Sequence, residues 1–140
     1  MNGEFNAAVH ALVCMSHKGD LLSSEALAAN ICTNPARVRK IMAKLKSAGV
    51  VTSKEGPEGG YSAALPADKI TLALVAQAVD ARFITPGWHS GDVDMKCLIA
   101  SGMAGLLDEV YGRMDALSQG YLANITIADL EGRIFGQAAE

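Results

Sequence analysis

Apolar residues recur at helical spacing through most of this chain. Phe5, Ala8, Val9, Leu12 and Val13 predict an amphipathic helix over residues 3–17, ended by Gly19. Leu21 and Leu22 precede Ser23 and Ser24, either of which suits a helix N-cap, with Glu25 favourable in the first turn. Ala26, Leu27 and Ile31 give that short second helix a buried side. Asn34 predicts the cap of a third helix, and Pro35 fits its first position, where a missing N–H costs nothing. Val38, Ile41, Met42 and Leu45 form its apolar stripe, and Gly49 stops it.

The period then changes. Val50, Val51 and Thr52 favour a strand, and residues 61–65 form a second extended run. The turn-rich segment SKEGPEGG between them predicts a hairpin with a loose tip. Ile70, Leu72, Val75 and Val79 support a fourth helix, although Ile70 and Thr71 could instead add a third strand to the hairpin. Residues 81–96 show no period and contain Pro, two Gly and the single Trp, so a loop is expected. From Cys97 a long helix is predicted to about Asn124. Met103, Leu107, Val110, Met114, Leu117 and Tyr121 repeat along it with heptad spacing. Its glycines at 102, 105, 112 and 120 each cost about 1 kcal/mol relative to Ala. Close packing against another helix would offset that cost, and Gly105 and Gly112 lie one heptad apart. Thr126, with Asp129 three residues on, caps a last short helix carrying Ile127, Leu130 and Ile134.

Helix, short turn at Cys32 and Thr33, basic amphipathic helix and hairpin together predict a winged helix-turn-helix. The expected fold class is mainly α with a small β wing, followed by a long C-terminal dimerisation helix. Residues 1–80 would form the DNA-binding domain, 81–97 a sensing or connecting loop, and 98–140 the dimerisation and C-terminal helices.

Charge adds a direction. The chain of 140 residues has a net charge of −3, yet Arg37, Arg39, Lys40, Lys44, Lys46 and Lys54 lie between positions 37 and 54 with no acidic residue among them. Those six are half of its 12 Lys and Arg residues. Residues 1–54 sum to +4, 55–79 to −2 and 80–140 to −5. A basic surface on an acidic chain suits a polyanion, with duplex DNA the first candidate. The other reading is a winged-helix module whose basic helix docks on an acidic protein.

Other chemistry finds little support. GPEGGY lacks the flanking strand, helix and Lys-Ser/Thr pair of a phosphate-binding loop. No Ser-His-Asp, paired-carboxylate or Cys-His arrangement stands at recognisable spacing, so no enzyme is expected. The N-terminus lacks a basic run before an apolar core, and no apolar stretch approaches the roughly 20 residues of a membrane helix. Three scattered cysteines argue against a disulfide scaffold and for the cytoplasm. Cys14 and Cys32 sit on apolar faces and read as buried small hydrophobes. Cys97 lies where a loop meets a helix start, a setting that lowers a thiol pKa, with Lys96 assisting and Asp92 and Asp94 opposing. It is the candidate sensing residue, for an oxidant or small-molecule effector. Trp88 and His89 are weaker candidates for an effector pocket.

The segment LKSAGVVTSKEGPEGGYSAAL (45–65), with its Gly56-Pro57-x-Gly59-Gly60-Tyr61 wing, and LANITIADL (122–130) near the C-terminus resemble the Rrf-two family of bacterial winged-helix transcription regulators. That family includes the iron–sulfur assembly regulator and the nitric-oxide-sensing repressor. The resemblance covers nearly the whole chain in order and spacing. It implies a homodimer, expected to be a repressor, on a partly palindromic operator. Helix 34–48 would enter the major groove, wing 50–65 would meet the adjacent minor groove, and the long helix would pair the subunits. The DNA-contacting candidates are then Asn34, Arg37, Arg39, Lys40 and Lys44 on the helix, with Lys54, Gly59 and Tyr61 on the wing. Arg37 and Lys40 are assigned to the groove or its flanking phosphates, and Arg39 and Lys44 to phosphates. Met103, Leu107, Val110, Met114, Leu117 and Tyr121 are the dimerisation candidates.

Two departures qualify the resemblance. Sensing members hold a cluster with three closely spaced cysteines before the long helix, whereas here only Cys97 is present, and Ser101, Gly102 and Met103 offer no thiolate. A cluster ordinarily takes about four ligands, mostly cysteine. His89, Asp92, Asp94 or the partner would have to substitute, so the chain resembles the clusterless branch and no cofactor or metal is expected. The second departure is at the wing tip, where family members often carry an Arg and this chain has Glu55, with Glu58 nearby. Acidic groups are unfavourable beside phosphates, so a weak grip by the wing, or a backbone contact from Lys54 alone, is expected.

Overall fold

Most helix boundaries in the first half of the chain follow from a local hydrogen-bonding device. In the computed structural model, which describes residues 2–85 and 87–138, α1 spans Gly3–Lys18 and ends at Gly19, whose left-handed φ of 70° lets its N–H reach the Met15 carbonyl. Helix α2 (Ser24–Ile31) is capped by Ser23, not Ser24: the Ser23 hydroxyl accepts from the Ala26 N–H at 3.0 Å. Helix α3 (Pro35–Ser47) is capped by Asn34, whose side-chain oxygen accepts from the Arg37 N–H at 2.8 Å. At its far end Gly49 donates to Lys46 O and Val50 to Leu45 O, both at 3.0 Å. With Gly49 at φ 78° and both Leu45 and Val50 buried, this is a complete Schellman motif, and it aims the chain into the hairpin.

The hairpin pairs β1 (Val51–Lys54) with β2 (Gly60–Ala63) in antiparallel register, Val51 opposite Ala63 and Lys54 opposite Gly60. Leu22 bridges to Tyr61 on the outer edge, with Leu22 N–H donating to Tyr61 O at 3.0 Å and Tyr61 N–H to Leu22 O at 2.8 Å. Gly60 is required there, because an added Cβ would lie 2.6 Å from the Leu22 carbonyl oxygen. A 3₁₀ turn at residues 67–69 leads to α4 (Leu72–Ala78), capped by Thr71. Thr71 adds no third strand to the wing. It bridges instead to Thr126, with Leu72 N–H donating to Ile125 O at 2.8 Å and Ile127 N–H to Ile70 O at 2.9 Å.

Two compact units result: residues up to 81 together with those from 122 onward, and residues 82–121. The core of the first is built from Leu12, Leu27, Val38, Ile41, Met42, Leu45, Val50, Ile70, Val75 and Ile127, all at most 1% exposed. Helix α6 (Ile127–Ala138) belongs to this core and packs on α1. Its start is a reciprocal capping box, Asp129 N–H to Thr126 Oγ1 at 3.1 Å and Thr126 N–H to an Asp129 carboxylate oxygen at 2.9 Å. Cys32 departs from expectation. It is exposed, at φ 66°, as the turn residue after α2, because the helix-turn-helix bend needs a left-handed residue at that point.

The second unit holds the loop from 82 and helix α5 (Leu98–Leu122). No residue of α5 is buried. Its seam residues Met103, Leu107, Val110, Met114, Leu117 and Tyr121 are all exposed, Leu117 at 74% and Tyr121 at 68%. The glycines do not join them. At 3.6 residues per turn Gly105 and Gly112 fall across the helix from the seam, and a Cβ added at any of Gly102, Gly105, Gly112 or Gly120 would meet no atom within 4 Å. Among the described residues, then, nothing packs closely on these glycines to offset their cost.

Candidate nucleic-acid interface

Helix α3 divides into two faces. Val38, Ile41, Met42 and Leu45 anchor one in the core, which forces the residues between them outward. Arg37 and Lys40 are exposed on the outer side, and among the described residues neither side chain makes a hydrogen bond or ion pair. Arg37 does lie over the N-terminus of α1, where a Cβ added to Gly3 would come within 2.5 Å of a guanidinium nitrogen.

The other basic residues are engaged. Lys44 Nζ donates to both carboxylate oxygens of Glu4, at 2.8 and 3.1 Å. That hydrogen bond is the main reason the Glu4 carboxyl is held below its ordinary range. Partial burial opposes it, and the charges of Lys44, Lys40 and Arg37 add to it. Arg39 donates to Ser24 Oγ at 3.3 Å and lies 4.0 Å from a Glu25 oxygen. Lys46 reaches across to Ser53 Oγ at 2.6 Å, tying α3 to β1. Asn34 spends its side-chain oxygen on the α3 cap.

On the wing, Lys54, Glu55, Gly56, Pro57 and Glu58 are exposed. Gly59 has a steric role, since an added Cβ would overlap the Lys54 carbonyl oxygen. Tyr61 is half-buried against the core, held by its two backbone bonds to Leu22. The structure thus brings Arg37, Lys40, Lys44 and Arg39 onto one helix. The pattern of residues missed Glu4, whose partner lies 40 positions away and leaves no trace at short range.

Residues 1–132 match the Rrf2 family, described as iron-dependent transcriptional regulators. The chain belongs to this family. Among Rrf2 relatives, the HTH-type transcriptional regulator YwnA of Bacillus subtilis is 29% identical over 135 residues, 96% of this chain and 99% of that protein. A transcriptional regulator from Lactobacillus plantarum superimposes with a TM-score of 0.78 at 23% identity over the full length of both chains. CymR, the global cysteine regulator of B. subtilis, gives 0.68 at 17% identity over 93% of this chain and 94% of its own. Those two likenesses establish the winged-helix fold. The relatives are transcriptional regulators, not enzymes.

The iron in the Rrf2 description meets no matching ligand set here. Among the described residues no three His, Cys, Asp or Glu side chains are grouped to hold a metal ion. The thiols of Cys14, Cys32 and Cys97 are free, on α1, after α2 and before α5. These residues do not fit an iron–sulfur cluster, which is ordinarily held by about four ligands, mostly cysteine thiolates.

Cys97 itself is exposed at the mouth of α5, and the backbone N–H groups of Ala100 and then Ile99 lower its thiol pKa. Helix position, not Lys96, is the cause. In the preceding loop His89 Nε2 and Asp108 Oδ1 are 2.8 Å apart, and Trp88 is 87% exposed. Both line a cavity of only about 140 Å³ beside Leu107 and Tyr111.

Proposed function

We propose that this protein is a homodimeric DNA-binding regulator that acts in the cytoplasm and represses by covering a promoter. Helix α3 enters the major groove of a partly palindromic operator, and the wing of residues 50–65 lies at the adjacent minor groove. The observation that carries this reading is the outer face of α3, a helix anchored by four buried residues. Arg37 and Lys40 stand exposed there and, among the described residues, without a side-chain hydrogen bond or ion pair. Arg37 is placed to read a base edge, because a guanidinium can bond a guanine bidentately, and Lys40 flanks it. Arg39, Lys44 and Lys54 serve phosphates, with Asn34, Gly59 and Tyr61 setting the helix and wing that present them.

Pairing is supported by α5. Met103, Leu107, Val110, Met114, Leu117 and Tyr121 form a heptad stripe whose members are all exposed. A large apolar side chain gains about 1.5–3 kcal/mol when fully buried, so a second copy of the same seam is a strong attractor. Two recognition helices set about 34 Å apart would then match one turn of DNA. The exposed, pKa-lowered thiol of Cys97 is the proposed point at which an oxidant modulates binding.

The decisive experiment is selection of bound duplexes from a random pool, followed by titration of the winner at several salt concentrations. A palindromic consensus whose affinity falls steeply with salt is the expected result, because each neutralised phosphate releases counterions. Recovery of no consensus, with salt-insensitive binding, would instead identify a protein-docking module.

A further inference from the structure

We infer that the cleft between α1 and α6 is a binding site for a planar aromatic carboxylate. The cleft has a volume of about 760 Å³, within the range that accepts a small organic ligand. Phe5, Val9 and Val13 of α1 form one wall, and Ile134 and Phe135 of α6 the other.

Three features fix the ligand class. The His17 and Phe135 rings stack at 3.7 Å with an interplanar angle of 7°, so the cleft already contains a flat aromatic layer on which another ring can lie. Lys18 and Arg133 both line the cleft, and among the described residues neither is in an ion pair. The neighbouring carboxylate, Glu131, is engaged by His17 Nδ1 at 3.0 Å. Among the described residues, these two cations are the only Lys, Arg, Asp or Glu side chains that line the cleft, which calls for an anion.

The third feature is a polar cluster in the lining. Asn30 Oδ1 lies 2.7 Å from His10 Nε2 and accepts from the Cys14 thiol at 3.3 Å. With its oxygen so used, the Asn30 amide retains two N–H donors for a ligand oxygen. Burial pushes the Cys14 thiol up, which keeps it a neutral donor and leaves no thiolate to repel an anion. All these residues belong to the unit that contains α3, and the site uses nothing from the loop around Cys97. This inference stands independently of the DNA-binding proposal.

The test is calorimetric titration of the full-length protein with 2-naphthoate and with its neutral counterpart 2-naphthylmethanol. One naphthoate per chain is expected, bound about tenfold or more tighter than the alcohol, the difference a charge-assisted hydrogen bond supplies. Arg133→Gln combined with Lys18→Gln should abolish that preference. Val13→Trp, which fills the cleft, should abolish binding of both probes, with circular dichroism confirming the fold. Should the tryptophan variant fail to fold, the surface double variant decides alone. Equal affinity for the two probes, a preference that survives the double replacement, naphthoate binding unaffected by Val13→Trp, or a cleft closed to naphthoate by a second copy of the chain would each overturn the assignment.

Discussion

Replacing Glu4 by Gln should strengthen DNA binding, although Glu4 lies on α1 and not on the proposed recognition helix α3. Glu4 holds Lys44 by two hydrogen bonds of 2.8 and 3.1 Å. The Glu4 and Lys44 side chains remain about one-third exposed, at 33% and 37%. An ion pair so placed is worth about 0–1 kcal/mol, so Lys44 needs little to leave it for a phosphate. Removing the competitor should raise affinity by up to about fivefold. If Lys44 then gains a full phosphate contact, the slope of log K against log salt should steepen by about 0.9. The cost to folding is bounded by the same 0–1 kcal/mol. It also has a sign in pH. The folded Glu4 pKa lies below its ordinary 4.5, so the stabilisation is complete above that value and is lost as pH falls through the folded value. Glu4→Gln should lack this acid-side loss. Fluorescence anisotropy on a labelled operator duplex at four or more salt concentrations measures both quantities. A variant with wild-type affinity and slope would show that Lys44 never reaches a phosphate. A weakened variant would show that the pair positions α3.

Four further outcomes are expected. Arg37→Ala should cost about 1–3 kcal/mol in operator affinity and relax preference at one base position, read by competition with single-base operator variants. Leu107→Asp with Leu117→Asp places charge in the apolar seam and should yield monomers without operator binding in sedimentation velocity; a persisting dimer would move the interface elsewhere. Cys97→Ser should retain DNA affinity after mild peroxide or quinone treatment that weakens the wild type, and equal loss in both would exclude this thiol as the switch. Thr126→Ala removes the acceptor for the Asp129 N–H and should lower stability by about 0.5–2 kcal/mol in urea unfolding, with operator contacts intact.

Several helix boundaries were legible because they are settled within a few residues. Asn34 and Thr126 cap helices through N–H groups three positions on, as does Ser23, one of the two serines that suited α2. Gly49 and Val50 close α3 through carbonyls three and five positions back. The hairpin was legible for the same reason, its turn residues standing beside its strands. The basic face of α3 could be read as well, since a buried stripe at helical spacing leaves its complement outside. The Thr71 cap of α4 was not legible, because Thr71 suited a strand as well.

What the period of a helix cannot state is which neighbour its apolar side meets, or which charge faces another across the chain. Glu4 and Lys44 are 40 residues apart, and His17 and Glu131 are 114 apart. Only the packing of α1 against α3 and α6 brings those pairs together. The same packing decides that Lys44, and not Lys40, donates to Glu4. It turns residues 125–127 into a partner for residues 70–72 where a third wing strand was possible, and it opens the cleft lined by Arg133 and Lys18. The heptad along α5 marked an apolar stripe, and the tertiary structure leaves its residues exposed. Local sequence sets hydrogen bonds and amphipathic faces within a turn or two, whereas contacts between distant segments depend on how the whole core closes.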